Sequence, residues 1–177
     1  SKEWMKFLKS WAIKSSKYDY YRDNIRFFSK RSNDSISELS FYGSKDDEKI
    51  FKKIVLEENY SYVSLNELSS SKNLNFVMFD LCDYNIDDNI DDLILELESI
   101  LKNIKKTLVE RKFISLLSKN YQENHFQPFS WELSKLFRNY FSIKDEKIIA
   151  LEENLNLYDA SEKLKPTTKN DFFYSHY

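Results

Sequence analysis

Apolar side chains recur at helical spacing along most of this chain. Residues 3–14 place Trp4, Phe7, Leu8 and Trp11 on one face, with Lys2, Lys6, Lys9 and Lys14 largely elsewhere. Residues 18–31 repeat the pattern with Tyr18, Tyr21, Ile25 and Phe28. After a Ser/Asn-rich break, Gly43 and Ser44 mark a turn and a candidate N-cap for a helix over 45–58, whose apolar side is Ile50, Phe51, Ile54 and Val55. The alternation of Tyr60 to Leu65 suits a short strand, while Ser64 and Glu67 at capping-box spacing suit a helix start. Segment 74–82 is apolar on both sides through Phe76 and Phe79, which favours a buried helix, with a strand pairing to 60–65 as the alternative.

The longest stripe is Ile90, Leu93, Ile94, Leu97, Leu101, Ile104 and Leu108, extended by Phe113, Leu116 and Leu117. It predicts a central helix near 88–118. A helix over 130–142 with Ser130 as N-cap follows, then one over 145–163 using Ile148, Leu151, Leu155 and Tyr158. Segments 34–44 and 120–129 read as loops and 166–177 as a tail. The expectation is a mainly α fold: one helical domain over 1–177, an irregular bundle of about seven helices with at most a two-stranded β element at 60–65 and 74–82.

Composition strengthens that expectation. The chain has a single glycine, Gly43, and two prolines, Pro128 and Pro166. Glycine supplies the positive φ that tight β-turns need, so its scarcity argues against sandwiches, barrels and phosphate-cradling loops. Hydrophobic residues at 41% and aromatics at 16% suffice for a core. The net charge of −2 carries no global preference for nucleic acid or an anionic membrane. The lone Cys82 excludes an internal disulfide and fits a reducing, cytoplasmic setting. No apolar run approaches the ~18 residues of a membrane span.

Charge is nonetheless segregated. From Asp80 to Glu98 there are eight acidic side chains and no basic one, and from Lys102 to Lys119 six basic side chains face one acidic. On one helix that order complements the macrodipole. The acids begin before the helix, however, and packed like charges gain nothing from folding alone. Asp80, Asp83, Tyr84, Asp87, Asp88, Asp91 and Asp92 are therefore the candidate partner-binding residues, suited to a basic protein. Residues 1–33 carry nine basic against three acidic side chains interleaved with aromatics, and Lys6, Lys9, Lys14, Arg22 and Arg26 suit nucleic acid or a membrane surface.

Motifs of catalysis are thin. Asp83, Asn85 and Asp87 occupy positions 1, 3 and 5 of an EF-hand-like loop, but Asp88 stands where glycine is needed and Ile94 where a bidentate glutamate is needed. His125 and His176 have no metal spacing, and nothing local supports a Cys82–His125 nucleophile pair. The sequence thus reads as a non-enzymatic binding module without metal or cofactor. Its most concrete form is an immunity- or antitoxin-type inhibitor covering the basic site of a nuclease-type toxin. A basic aromatic module for nucleic acid or membrane surfaces, or a helical subdomain of a larger protein, is the alternative.

Overall fold

All seven residues of strand β4 (Leu74–Asp80) are buried. The computed structural model describes residues 11–14, 16–29, 36–84, 89–119, 121–122, 126–127, 129–151 and 169–175. Along β4, Val77 and Phe79 enter one core while Phe76 and Met78 enter the other. A strand covered on both faces is apolar at every position and shows no alternation. That is why segment 74–82, expected as a buried helix, forms a strand instead.

The remaining elements are β1 (Trp11–Lys14), α1 (Lys17–Phe28), β2 (Glu38–Tyr42), α2 (Lys45–Glu57), β3 (Ser61–Tyr62), a 3-10 helix (Leu65–Ser70), α3 (Ile90–Thr107), β5 (Leu108–Ser118), β6 (Tyr121–Gln122), β7 (Phe126–Gln127), α4 (Phe129–Arg138), β8 (Ser142–Leu151) and β9 (Lys169–Ser175). Seven strands form one sheet in the order β1-β8-β9-β5-β4-β2-β3, and β6 and β7 pair separately. Strands β3, β2, β4 and β5 run parallel. Strand β9 is antiparallel to both β5 and β8, and β1 runs parallel to β8 at the edge. Helices α1 and α2 cover one face, with Tyr21, Ile25, Phe51 and Ile54 buried against Phe41, Phe76 and Met78. Helices α3 and α4 cover the other, with Leu97, Leu101, Ile104, Leu133 and Phe137 against Val77, Phe79, Ile114 and Leu116.

The chain is therefore an α/β layered fold, not a mainly α bundle of seven helices. The predicted helices α1 and α2 hold with the expected stripes, and Ser44 caps α2 by accepting from Asp47 N at 3.2 Å. Helix α4 also forms, but it begins at Phe129, so Ser130 lies inside it rather than capping it, and Trp131 is exposed. The central helix near 88–118 does not hold in full. Helix α3 ends at Thr107, and Leu108 turns extended at φ −61°, ψ 130° to begin β5. The apolar stripe continued because residues 114–118 are buried on both faces of β5. The helix expected over 145–163 is strand β8 as far as Leu151, and the tail contributes β9. Residues 11–14, expected as the end of a helix, form β1 in parallel register with residues 148–151. Segments 60–65 and 74–82 share a sheet but do not pair, because β2 lies between them.

Scarce glycine does not exclude this sheet. Parallel strands are joined by helical crossovers, which need no tight hairpin turn. Among the described residues one left-handed position does occur, where α2 ends, and Asn59 takes it at φ 61°. Tyr60 N then donates to Val55 O at 2.9 Å, closing the helix as a C-terminal glycine would.

Candidate functional site

Strand order reverses between β2 and β4. From β2 the chain passes through α2 to β3 on one side. It then returns to β4 on the other side of β2 and continues outward to β5. Connections leaving adjacent parallel strands in opposite directions open a crevice at the strands' carboxyl ends. A pocket of about 510 Å³ occupies that crevice, lined by Tyr42, Gly43 and Ser44 at the end of β2, Asp80, Leu81, Asp83 and Tyr84 at the end of β4, and Asn89, Asp92, Leu93 and Glu96 at the start of α3.

Gly43 is needed here for space. A Cβ at this position would lie 2.8 Å from the Phe41 ring and 2.9 Å from the backbone oxygen of Asp80. The absence of a side chain lets the two strand ends close against each other. Ser44 then opens α2 immediately behind the turn.

Asp80 closes the floor and is only 2% exposed. Its Oδ1 accepts from Cys82 N at 3.0 Å, and its Oδ2 accepts from the Tyr21 hydroxyl. Lys17, on the first turn of α1, brings its ammonium 3.4 Å from Asp80 Oδ2, 2.8 Å from Asp47 Oδ2 and 2.9 Å from Asp83 Oδ2. Burial alone would lower the Lys17 pKa, but the Asp80, Asp47 and Asp83 carboxylates outweigh it and raise it. Burial also raises Asp47, and its neighbour Asp80 adds to that against the pull of Lys17, because one ammonium cannot neutralise three carboxylates. Tyr21 is held as the neutral phenol by burial and by Asp80.

On the α3 wall Tyr42 donates to Glu96 Oε2 at 3.1 Å, and its pKa is raised by burial and by that carboxylate. Asn89 caps α3 by accepting from Asp91 N at 3.0 Å and Asp92 N at 3.4 Å. The Tyr84 ring stacks on Phe129 at 5.5 Å between centroids. No lysine or arginine is among the described lining residues.

Asp80, Asp83, Tyr84 and Asp92, singled out from sequence, line this pocket, and Asp91 lies exposed on the first turn of α3. Asp87 and Asp88 fall outside the described residues, as do Lys6, Lys9 and both histidines. Lys14 lies on β1. Arg22 pairs with Asp19 at 3.0 Å and Arg26 with Glu58 at 2.8 Å. Sequence reasoning passed over Tyr42, Ser44, Asn89, Glu96, Lys17 and Tyr21 as site residues. The available signal was Gly43-Ser44, a lone glycine between an apolar strand and a capped helix. No group of ligating side chains among the described residues is arranged for a metal ion. No described helix is long and apolar enough to cross a membrane.

No family model matches the chain, and no curated protein matches it in sequence. Solved structures do match in fold. The phosphoethanolamine N-methyltransferase 2 of Haemonchus contortus, solved with S-adenosylhomocysteine, superposes at TM-score 0.56 and 9% identity over 90% of this chain and 37% of its own. The N-methyltransferase NodS of Bradyrhizobium japonicum gives 0.51 and 6% identity over 90% of this chain and 96% of its own. TrmN of Thermus thermophilus gives 0.51 and 7% identity over 90% and 49%. The chain thus spans less than half the length of two of these three proteins.

The fold is the Rossmann-like α/β fold of these solved methyltransferase structures. This corrects the expectation of a non-enzymatic immunity- or antitoxin-type inhibitor, and with it the expectation of no enzymatic activity. The charge block behind that expectation is partly the wall of a crevice, and two of its carboxylates, Asp80 and Asp83, already face Lys17.

Proposed function

We propose that the chain is a methyltransferase domain that binds S-adenosylmethionine in the crevice between β2, β4 and α3. The observation that carries this reading is the position and lining of the pocket: a carboxylate-rich cavity at the sheet's topological switch point. Its volume of about 510 Å³ lies within the range of about 300–1,000 Å³ usual for small-molecule sites.

The donor set fits a cation. S-adenosylmethionine carries a sulfonium and an ammonium against one carboxylate. Asp92 and Glu96 on α3 would hold that positive charge, and Leu81, Leu93 and the Tyr84 ring offer apolar surface to a nucleoside. A dinucleotide is a poor fit, because its pyrophosphate needs a glycine-rich turn or basic side chains, and the described lining has neither beyond Gly43. When bound, S-adenosylmethionine supplies an electrophilic methyl group. The chain's own work is binding and orientation. Tyr42 keeps Glu96 oriented by donating its phenolic hydrogen to that carboxylate.

Isothermal titration with S-adenosylmethionine tests the proposal directly. Saturable one-to-one binding, weakened in Glu96→Gln and Asp92→Asn, is expected. A folded protein that takes up no S-adenosylmethionine at millimolar concentration would overturn it.

A further inference from the structure

Carboxylates from three different segments converge on one side chain. Asp47 stands in the first turn of α2, Asp80 ends β4, and Asp83 follows β4 on the pocket wall. All three reach Lys17 Nζ, at 2.8, 3.4 and 2.9 Å. The Lys17 side chain is 15% exposed and those of Asp47 and Asp80 are 7% and 0% exposed, so water contributes little screening around the inner pair. Asp83, at 57%, is the one member open to solvent.

These contacts cross the switch point. Asp47 belongs to the helix that Gly43 and Ser44 lead into, and Asp80 and Asp83 belong to the segment that faces them across the crevice. Without a cation between them, the carboxylates would repel, and the two sides of the pocket carry that repulsion directly. Breaking a buried ion cluster by removing one sign leaves uncompensated charge, which is the costly case.

We propose that Lys17 is the positioning residue of the pocket: a built-in counter-ion that draws the β2–α2 and β4–α3 segments together and takes up Asp80 and Asp83, leaving Asp92 and Glu96 to meet the positive charge of a ligand. The inference rests on the reading of the crevice as an S-adenosylmethionine site for its ligand arm, and on the ion cluster alone for its structural arm. It separates two kinds of side chain on one wall. Lys17 acts on the shape of the pocket, so its loss weakens any occupant. Asp92 and Glu96 act on charge, so their loss weakens a sulfonium more than the corresponding neutral thioether.

The test has two arms. Hydrogen exchange of residues 80–84 is measured without ligand in the wild type, Lys17→Met, Lys17→Arg and the double variant Lys17→Met/Asp83→Asn. Faster exchange is expected in Lys17→Met, with recovery in Lys17→Arg and partial recovery when the Asp83 charge is removed as well. Titration with S-adenosylmethionine and S-adenosylhomocysteine forms the second arm. Lys17→Met should weaken both by about tenfold or more, whereas Glu96→Gln should weaken the sulfonium selectively, by about fivefold. Unchanged exchange in a folded Lys17→Met overturns the positioning role whatever the ligand does. Equal losses for both ligands in Glu96→Gln overturn the division of roles. Normal Lys17 behaviour in the exchange arm with no binding of either ligand to the wild type overturns the methyl-donor reading and leaves the positioning role standing.

Discussion

Tyr21 on α1 donates its phenolic hydrogen to Oδ2 of Asp80 at the end of β4, 59 residues along the chain, and both residues are buried. The bond ties a helix of one layer to the strand end that floors the pocket. Asp80 spends both oxygens on the protein, one on Tyr21 and one on the Cys82 backbone. It is a fixed part of the wall, while Asp83 at the rim is exposed.

Replacing Tyr21 by phenylalanine keeps the ring in its aromatic cluster with Phe41 and Phe51 and removes only the hydroxyl. Hydrogen bonds to charged groups contribute about 1.5–3 kcal/mol, and a buried carboxylate that loses its donor falls in that range. Urea denaturation should show a loss of about 2 kcal/mol with an unchanged slope. A loss below the error of extrapolation would mean that Lys17, 3.4 Å from the same oxygen, is enough to satisfy Asp80.

The double burial of β4 makes a second claim. Met78 and Phe79 are adjacent in sequence yet belong to different cores. Met78→Ala should cost about 2–5 kcal/mol and Phe79→Ala about 3–5 kcal/mol, since each leaves a cavity in a packed layer. The two losses should be close to additive if the sheet separates the cores, and thermal or urea denaturation of the double variant measures that. A single-layer bundle would make one of the two positions tolerant.

How much of this was readable from the chain differs by element. Helices α1, α2 and α4 each have one buried and one solvated side, so Tyr21 and Ile25, or Phe51 and Ile54, recur at helical spacing. Strands β4 and β5 are covered on both faces, and a short apolar run of that kind has no periodicity to separate it from a buried helix. The stripe of α3 flowed into β5 with no break because Leu108 both ends the helix and starts the strand. The end of α2 was legible to within one residue, at 58 against the observed Glu57. The site was half legible. Its acids stood out as a charge block, but Lys17 and Tyr21 lie about 60 residues upstream, and only the parallel crossover places α1 against the end of β4.

Alkaline pH should unfold the protein early. Tyr62 is pushed up to about 12 by burial and by the Glu48 carboxylate. Tyr21 and Tyr42 are raised by burial and by their acidic partners. Lys17 is raised by its carboxylates against the effect of burial. In each case the folded state holds its proton more tightly than the unfolded chain. The contribution is complete below the unfolded value, near 10.0 for tyrosine and 10.5 for lysine, and is lost as pH climbs from there through the folded values. Denaturation midpoints should therefore fall steeply above about pH 10. Tyrosinate absorbance should lag behind that of free tyrosine until unfolding begins. A flat stability profile from neutrality to strong alkali would contradict these environments.

Gly43 concentrates the consequences of the fold in one atom. Its φ is not in the left-handed region, so backbone strain is not the reason for glycine. The constraint is contact. A methyl group would approach the backbone oxygen of Asp80 at 2.9 Å and the Phe41 ring at 2.8 Å, and a backbone carbonyl in a buried strand has little room to move. Gly43→Ala should push the β2 and β4 ends apart at the crevice. The expected destabilisation is about 1–3 kcal/mol, as for other insertions into packed regions. Ligand binding should fall further than stability, because the displaced atoms belong to the pocket lining itself. Denaturation and S-adenosylmethionine titration of one variant separate the two effects. An alanine variant of wild-type stability and affinity would show that the Phe41 ring alone yields and that the contact with Asp80 is not limiting.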